Sequence, residues 1–326
     1  MSISQTLNLV RGAVSDKNLI SVLTHFHITD GKIYGNNGRI SIEAPFPKIH
    51  DDPITVPGAS FVTAVDRCDG DPQIEIGDGF MKMKSKTRKM RMIRLPLSTD
   101  DYSKPVTIGD RYEIEDPKEY IEAIRRVSPF VSSDASRPWA MSVLHQGDHL
   151  YATNNIIMVR TEYDWPDEYP IFGLPGFTVD EMVRIRREPK YVWIHDNGVA
   201  YEYDDDVWLR SVRYATDWPD VAPMIPDCSG LPKLPSDTAQ VVRDLVPFAQ
   251  DKSMPIVTFK GNEISTMEGQ MIAVDSLAGE VGEASFHAVP LQLALSRATH
   301  MDVSTYPKPC PWRGENLEGI IIGVRL

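Results

Sequence analysis

The sequence predicts an α+β fold in which a helix followed by antiparallel strands is repeated six times. Three observations carry that reading: a turn-and-strand segment that recurs, helical periodicity ahead of it, and strict alternation inside the strands. The segment recurs as Asp30-Gly31-Lys32-Ile33-Tyr34, Gly77-Asp78-Gly79-Phe80-Met81-Lys82, Gly147-Asp148-His149-Leu150-Tyr151, Asp196-Asn197-Gly198-Val199-Ala200-Tyr201, Lys260-Gly261-Asn262-Glu263-Ile264 and Asn316-Leu317-Glu318-Gly319-Ile320. From Gly31 through Gly79, Gly147 and Gly198 to Gly261, the successive spacings are 48, 68, 51 and 63 residues. Short and long spacings alternate, so the six units pair into three domains, 1–109, 110–226 and 227–326 of the 326-residue chain. Each is long enough to enclose one core.

The helices are expected at 3–17, 58–68, 117–130, 178–190, 237–252 and 288–300. The third shows the pattern best. Tyr120, Ile121, Ile124 and Val127 form one apolar stripe, with Lys118, Glu122, Arg125 and Arg126 off it. Pro117 suits the first helical turn, after Asp116 as N-cap. In Met81-Lys82-Met83-Lys84 and Met90-Arg91-Met92 every second residue is Met, which puts the Met row on one face of a pleated strand and the basic residues on the other. Trp165-Pro166-Asp167 and Ser229-Gly230-Leu231-Pro232 read as connectors.

Composition, with 42% hydrophobic and 25% charged residues, describes an ordinary soluble globular protein. The chain has no apolar run long enough for a membrane span, and Met1-Ser2-Ile3-Ser4-Gln5 lacks the regions of a signal peptide, so a cytoplasmic location is expected. Cys68, Cys228 and Cys310 are far apart and odd in number, the usage of buried reduced thiols. The net charge of -12 argues against a polyanion partner until its distribution is considered. The six helical windows hold 13 basic and 10 acidic residues, so the excess acid lies elsewhere.

Motifs for chemistry are few. The sequence contains no phosphate loop, no His-Glu-x-x-His, no Gly-x-Ser-x-Gly and no Cys-x-x-Cys. His25 and His27 could share a strand face, but no third ligand lies near them in sequence. Asp69-Gly70-Asp71 and Asp204-Asp205-Asp206 have the composition of magnesium sites, and equally of solvated turns. The expectation is a protein without catalytic residues, metal or cofactor. A hydrolase built on Asp69, Asp71 or the two histidines is the enzymatic alternative.

The run Leu150-Tyr151-Ala152-Thr153-Asn154-Asn155-Ile156-Ile157-Met158-Val159 resembles the Ala-Thr-Asp-Gly-His-Arg-Leu-Ala segment of the bacterial DNA polymerase III beta subunit, the sliding clamp. The stretch from Val56-Pro57 to Arg94-Leu95-Pro96 is similar to the second half of that family's first domain. Asp217-Trp218-Pro219-Asp220 resembles its Phe-Pro-Asp-Tyr segment, and Ile322-Gly323-Val324-Arg325-Leu326 its Met-Pro-Met-Arg-Leu terminus. The compressed domains and diverged motifs look more like a phage-encoded or otherwise divergent clamp than a typical cellular one.

The resemblance implies a clamp fold of three domains forming half a ring, closed by a head-to-tail homodimer around duplex DNA. It implies a replication processivity factor whose partners are double-stranded DNA without sequence preference, a DNA polymerase and a clamp loader. The lining residues it implies are Arg11, Arg67, Arg125, Arg126, Arg184, Arg186, Arg187, Arg243 and Arg297, with Lys17 and the Arg137-Pro138-Trp139 loop at further DNA contacts. A partner-peptide pocket is implied at Thr153, Asn155, Ile156, Ile157, Met158, Pro226, Val324, Arg325 and Leu326. Asn155, Ile156 and Ile157 replace the family's Gly, His and Arg, which makes the rim more apolar. Ring closure is implied at Met90 and Met92 of one chain against Val246 and Phe248 of the other. A clamp-like DNA-binding protein that forms no ring, or a decoy that sequesters replication factors, is the alternative.

Overall fold

The computed structural model describes residues 1–16, 20–77, 79–85, 93–96, 107, 109–249, 253–268 and 271–325. Helix α1 (Ile3–Val10) leads into strands β1 (His25–Thr29), β2 (Lys32–Asn36), β3 (Ile40–Pro45) and β4 (Ile54–Pro57). Helix α2 (Gly58–Asp66) leads into β5 (Gln73–Gly77), β6 (Phe80–Lys84) and β7 (Ile93–Pro96). After β8 (Asp110–Glu113), α3 (Pro117–Val127) precedes β9 (Ser142–Gln146), β10 (His149–Thr153), β11 (Ile157–Glu162) and β12 (Phe172–Pro175). Helix α4 (Gly176–Ile185) precedes β13 (Pro189–His195), β14 (Gly198–Tyr203) and β15 (Val207–Val212). Helix α5 (Thr238–Leu245) precedes β16 (Ile256–Gly261), β17 (Glu263–Glu268), β18 (Met271–Ser276) and β19 (Gly282–His287). Helix α6 (Ala288–Leu295) precedes β20 (Ala298–Met301), β21 (Cys310–Gly314) and β22 (Leu317–Ile321).

All six expected helices form, each shorter than its sequence window. The shortening has local causes. Single 3-10 turns, Arg11–Ala13, Ser128–Phe130 and Val246–Phe248, take up the ends of three windows. The fourth helix stops where Arg186 adopts φ 55°, the left-handed conformation that ends helices. At its start α1 is fixed by a capping box: Gln5 N–H donates to Ser2 Oγ, and Ser2 N–H to Gln5 Oε1.

The chain forms two compact units, Met1–Lys118 with Asp180–Ala215, and Glu119–Val179 with Thr216–Leu326. The first unit holds an antiparallel eight-stranded sheet, β4-β1-β2-β3-β15-β14-β13-β8, and a three-stranded sheet, β5-β6-β7. Pairing of β3 with β15 puts strands expected in the first and second domains into one sheet. Helices α1 and α2 pack on each other, and α1 lies on β2 and β3, burying Leu7, Val10, Phe26, Ile33, Ile42 and Phe61. The first hairpin turns at Asp30 and Gly31, φ 51° and 75°, the paired left-handed residues of a two-residue turn that matches strand twist. At the β3–β15 junction the buried Glu43 carboxylate sits 2.6 Å from Lys32 Nζ and 3.0 Å from Arg210 Nη2. Two cations on one carboxylate offset its desolvation. In β6 the alternation read from the sequence holds: Met81 and Met83 are fully buried. Met90 and Met92 lie outside the described residues.

The second unit holds a seven-stranded sheet, β12-β9-β10-β11-β22-β21-β20, and a four-stranded sheet, β18-β17-β16-β19. In it, Tyr120, Ile121, Ile124 and Val127 of α3 are all buried. Tyr120 Oη is 2.8 Å from Nε2 of the buried His145, whose ring stacks on Phe172 at 4.1 Å. Helices α5 and α6 pack together over a core that includes Val242, Leu245, Phe259, Phe286 and Leu291. Among the described residues no helix is long and apolar enough to cross a membrane.

Candidate nucleic-acid and peptide-binding surfaces

The arginines expected to meet DNA fall into two groups. Arg11 follows α1 directly, Arg67 caps α2, Arg243 lies in the last turn of α5 and Arg297 follows α6; all four are exposed. Among the described residues Arg243 bonds only the neutral Gln240, at 3.1 Å. Arg186 and Arg137 are also exposed. The others are committed to protein partners. Arg125 pairs with Glu122, and Arg126 pairs with Glu119 while donating to Thr161 Oγ1 at 2.8 Å. Arg187 meets Asp205 at 3.6 Å. Arg184 is tied most firmly: it pairs with the buried Glu181 and donates two hydrogen bonds of 2.5 Å to the carbonyls of Asn8 and Leu9, at the C-terminus of α1. Those carbonyls are helix-end acceptors that need donors, and a guanidinium supplies two. Lys17 lies outside the described residues.

Arg137 Nη1 donates to Asn155 Oδ1 at 3.0 Å, so the expected DNA loop touches the expected pocket. Asn155 has φ 72°, a conformation Asn tolerates better than most residues, and Thr153 Oγ1 accepts its N–H at 3.1 Å. Trp139 packs edge to face on Trp218, ring centroids 5.0 Å apart. Of the three apolar residues after Asn155, Ile156 is half-buried, Ile157 is fully buried on the opposite sheet face, and Met158 joins an apolar cluster. That cluster is Leu144, Tyr151, Val221, Ile225 and Cys228, with Met158, Trp218, Ala222, Leu231 and Ile320 packed around it.

Strand register explains the cluster. Leu144 lies opposite Tyr151, and Met158 opposite both Thr153 and Ile320, so one face of the seven-stranded sheet collects them. The segment from Trp218 to Leu231 packs on that face. Most of these residues escaped the sequence reading, because what unites them is the pairing of β11 with β22. Pro226 is exposed, and its carbonyl accepts the Cys228 thiol at 3.3 Å. Burial pushes that thiol up to about 11. Val324 is anchored at both backbone groups, its N–H to Ser285 and its carbonyl to Tyr306 Oη, while Arg325 beyond it is exposed. Leu326 lies outside the described residues.

The expected closure surface is exposed on one side. Phe248, in the turn after α5, is 63% exposed; Val274 on β18, which was not among the expected closure residues, is 52% exposed. Val246, in the same turn as Phe248, is half-buried. Among the described residues, strand β18 is an edge of its sheet and β7 an edge of the three-stranded sheet.

The residues weighed for other chemistry have structural partners. Asp71 Oδ1 accepts the Ile3 N–H at 2.8 Å, at the start of α1, where a carboxylate suits the helix dipole. Asp204, Asp205 and Asp206 pair with Lys190, Arg187 and Lys32. His25 Nδ1 meets Ser21 O at 2.8 Å and His27 Nδ1 meets Thr55 Oγ1 at 3.2 Å, while burial lowers the His27 pKa. Among the described residues no group of three or more His, Cys, Asp or Glu side chains is placed to hold a metal ion. All three cysteines are free; Cys228 and Cys310 are buried and Cys68 only half-buried.

No protein-family model matches the chain, and no curated protein matches it in sequence. Solved structures do match it. A DNA polymerase sliding clamp from Bacillus subtilis aligns over 99% of this chain and 97% of its own, with TM-score 0.82 and 20% identity. A DNA polymerase III subunit beta sliding clamp from Bartonella birtlesii, bound to griselimycin, aligns over 99% and 97% with TM-score 0.83 and 15% identity. A Helicobacter pylori beta clamp bound to a DNA ligase peptide aligns over 99% and 98% with TM-score 0.76 and 14% identity. At these identities and this coverage the likeness is one of fold: from end to end the chain has the α+β clamp fold of those structures.

Proposed function

We propose that this protein is a DNA sliding clamp, a replication processivity factor that closes around duplex DNA as a head-to-tail homodimer and tethers a polymerase through a short peptide. The observation that carries the proposal is agreement with clamp structures over 99% of this chain and 97% of theirs. Identities of 14 to 20% support a divergent member, phage-encoded or otherwise. The three-domain division 1–109, 110–226 and 227–326 belongs to the same reading, each domain contributing two helix-and-strand units.

The chemistry supports a ring. A protein of net charge -12 is a poor open-surface binder of a polyanion, whereas a closed ring needs only weak, sequence-independent attraction. Exposed arginines beside α1, α2, α5 and α6 supply it. Edge strands β7 and β18 offer unpaired backbone groups that two copies would pair across each interface, with Phe248 and Val274 adding apolar area. The Met158, Ile320 and Trp218 surface supports the peptide site, as does the ligase peptide held by the Helicobacter pylori clamp.

Topological binding has a direct test. Loaded protein should stay on nicked circular DNA and leave when the circle is cut once, and sedimentation should give twice 36.6 kDa. Equal retention on circular and linear DNA, or a monomer at micromolar concentration, would exclude the ring. Phe248→Asp should yield monomers.

A further inference from the structure

Beside the apolar cluster the same sheet face carries a row of different chemistry. Tyr151 lies opposite Arg160, Arg160 opposite Glu318, and Glu318 opposite Arg313. This row is two residues along the strands from the one holding Met158 and Ile320, a separation of roughly 7 Å. One step further, His149 lies opposite Glu162. Together Arg160, Arg313, Glu318, His149 and Glu162 line a concavity of about 150 Å³.

The charges in it do not cancel evenly. Arg160 makes a two-point ion pair with Glu318, Nε at 3.0 Å and Nη2 at 2.6 Å, and its Nη1 donates to Ile225 O at 3.4 Å. His149 pairs with Asp148. Glu162 is exposed at the rim, where water screens it. Arg313 is left over: its Nε is buried and has no hydrogen-bond partner, and among the described residues its guanidinium bonds no carboxylate. Asp227 stands near enough to feel both arginines, yet its carboxyl is held below the usual range first by its hydrogen bonds with Ser229. Arg313 thus lines the cavity with a guanidinium that no carboxylate among the described residues neutralises, and such a group suits a planar two-oxygen acceptor.

We propose that Arg313 receives a carboxylate from the partner peptide, an Asp or Glu two positions from an apolar anchor seated on Met158 and Ile320. This rests on the peptide-site reading above. The two-position offset follows from the 7 Å between rows, which equals two residues of extended peptide on one face. A carboxylate fits better than a phosphate because Glu318 and Glu162 border the cavity and would oppose the larger charge more strongly.

The test pairs two short peptides with Leu and Phe anchors, identical except for Asp or Asn two positions from the first anchor, against the full-length protein and Arg313→Gln, by fluorescence anisotropy. The native protein should prefer the Asp peptide by about tenfold, as a charge-assisted hydrogen bond predicts, and the preference should fall to about one in the variant. An undiminished preference in a folded Arg313→Gln protein would overturn the proposal. Failure of both peptides to bind either protein would remove the peptide site itself, and this proposal with it. A single-stranded oligothymidylate serves as the other arm: if Arg313→Gln weakens it and leaves the peptide preference intact, the cavity takes phosphate and the proposal is wrong.

Discussion

Arginines at the ends of α1, α2, α5 and α6 differ from Arg125 and Arg126 on α3, Arg184 on α4 and Arg187 just after it in what holds them. Arg11, Arg67, Arg243 and Arg297 stand exposed without a carboxylate among the described residues, whereas Arg125, Arg126, Arg184 and Arg187 are each paired with one. A paired guanidinium presents a dipole, and a free one presents a charge whose binding to phosphate releases counterions. Counting basic residues along helices treats the two as equal. The structure separates them into an exposed group without carboxylate partners among the described residues and a group held in ion pairs.

The sharpest way to break this contrast is to remove each quartet whole. Replacing Arg11, Arg67, Arg243 and Arg297 by Ala should lower the slope of log affinity against log salt by 3 to 4, at about 0.9 per lost phosphate contact, and weaken DNA association on the order of 100-fold. Stability should hardly change. Replacing Arg125, Arg126, Arg184 and Arg187 should do the reverse, destabilising the fold with a smaller change of slope. Equal slopes in the two variants would show that exposure does not sort them.

A single residue sharpens it further. Arg184→Ala strips two donors from the end of α1 and leaves Glu181 buried without its cation, so a loss of about 2 to 4 kcal/mol is expected in urea unfolding. Arg243→Ala should fall within about 0.5 kcal/mol of the native protein. Similar losses for both would refute the division.

The C-terminal residues offer a smaller effect. Among the described residues Val324 is the last with both backbone groups bonded, so deleting Arg325 and Leu326 should leave the melting temperature unchanged. Affinity for an apolar peptide should drop several-fold by calorimetry, on the scale of about 1 kcal/mol for one lost partly buried side chain. Unchanged affinity would put the peptide elsewhere.

Thiol labelling gives the smallest effect and extends the comparison to cysteines. With its pKa near 11, Cys228 is roughly 0.1% thiolate at pH 8 and should resist iodoacetamide in the native state, while half-buried Cys68 labels first. A raised pKa also means that the folded chain keeps this thiol protonated above pH 9.0, the ordinary thiol value at which the unfolded chain loses the proton. Its contribution is therefore fully present below pH 9 and lost as pH rises toward 11. Labelling of Cys228 at the rate of Cys68 would contradict its burial.

Much of the fold was legible because it is local. The stripe of Tyr120, Ile121, Ile124 and Val127 fixed α3, and the alternation of Met81 and Met83 fixed β6. What the chain could not display one segment at a time was partnership across distance. Nothing near Arg184 in sequence announces the carbonyls of Asn8 and Leu9, and nothing near Met158 announces Ile320. Arg186 ends α4 without the glycine that usually marks such a stop. The apolar surface was half legible: Met158 was named, while Tyr151, Trp218 and Ile225 needed the register of three strands and the segment lying over them.

The pairing of β11 with β22 also has a consequence for synthesis. Arg160 and Glu318, joined across it, are 158 residues apart. At 5 to 20 residues per second, a ribosome needs roughly 8 to 30 s to deliver the second strand after the first. Throughout that interval the edge of β11 that takes β22 is open, long enough for a neighbouring nascent chain on the same message to pair with it. Yield during rapid expression should then depend on whatever shields that edge while the ribosome finishes, and slowing translation would not help.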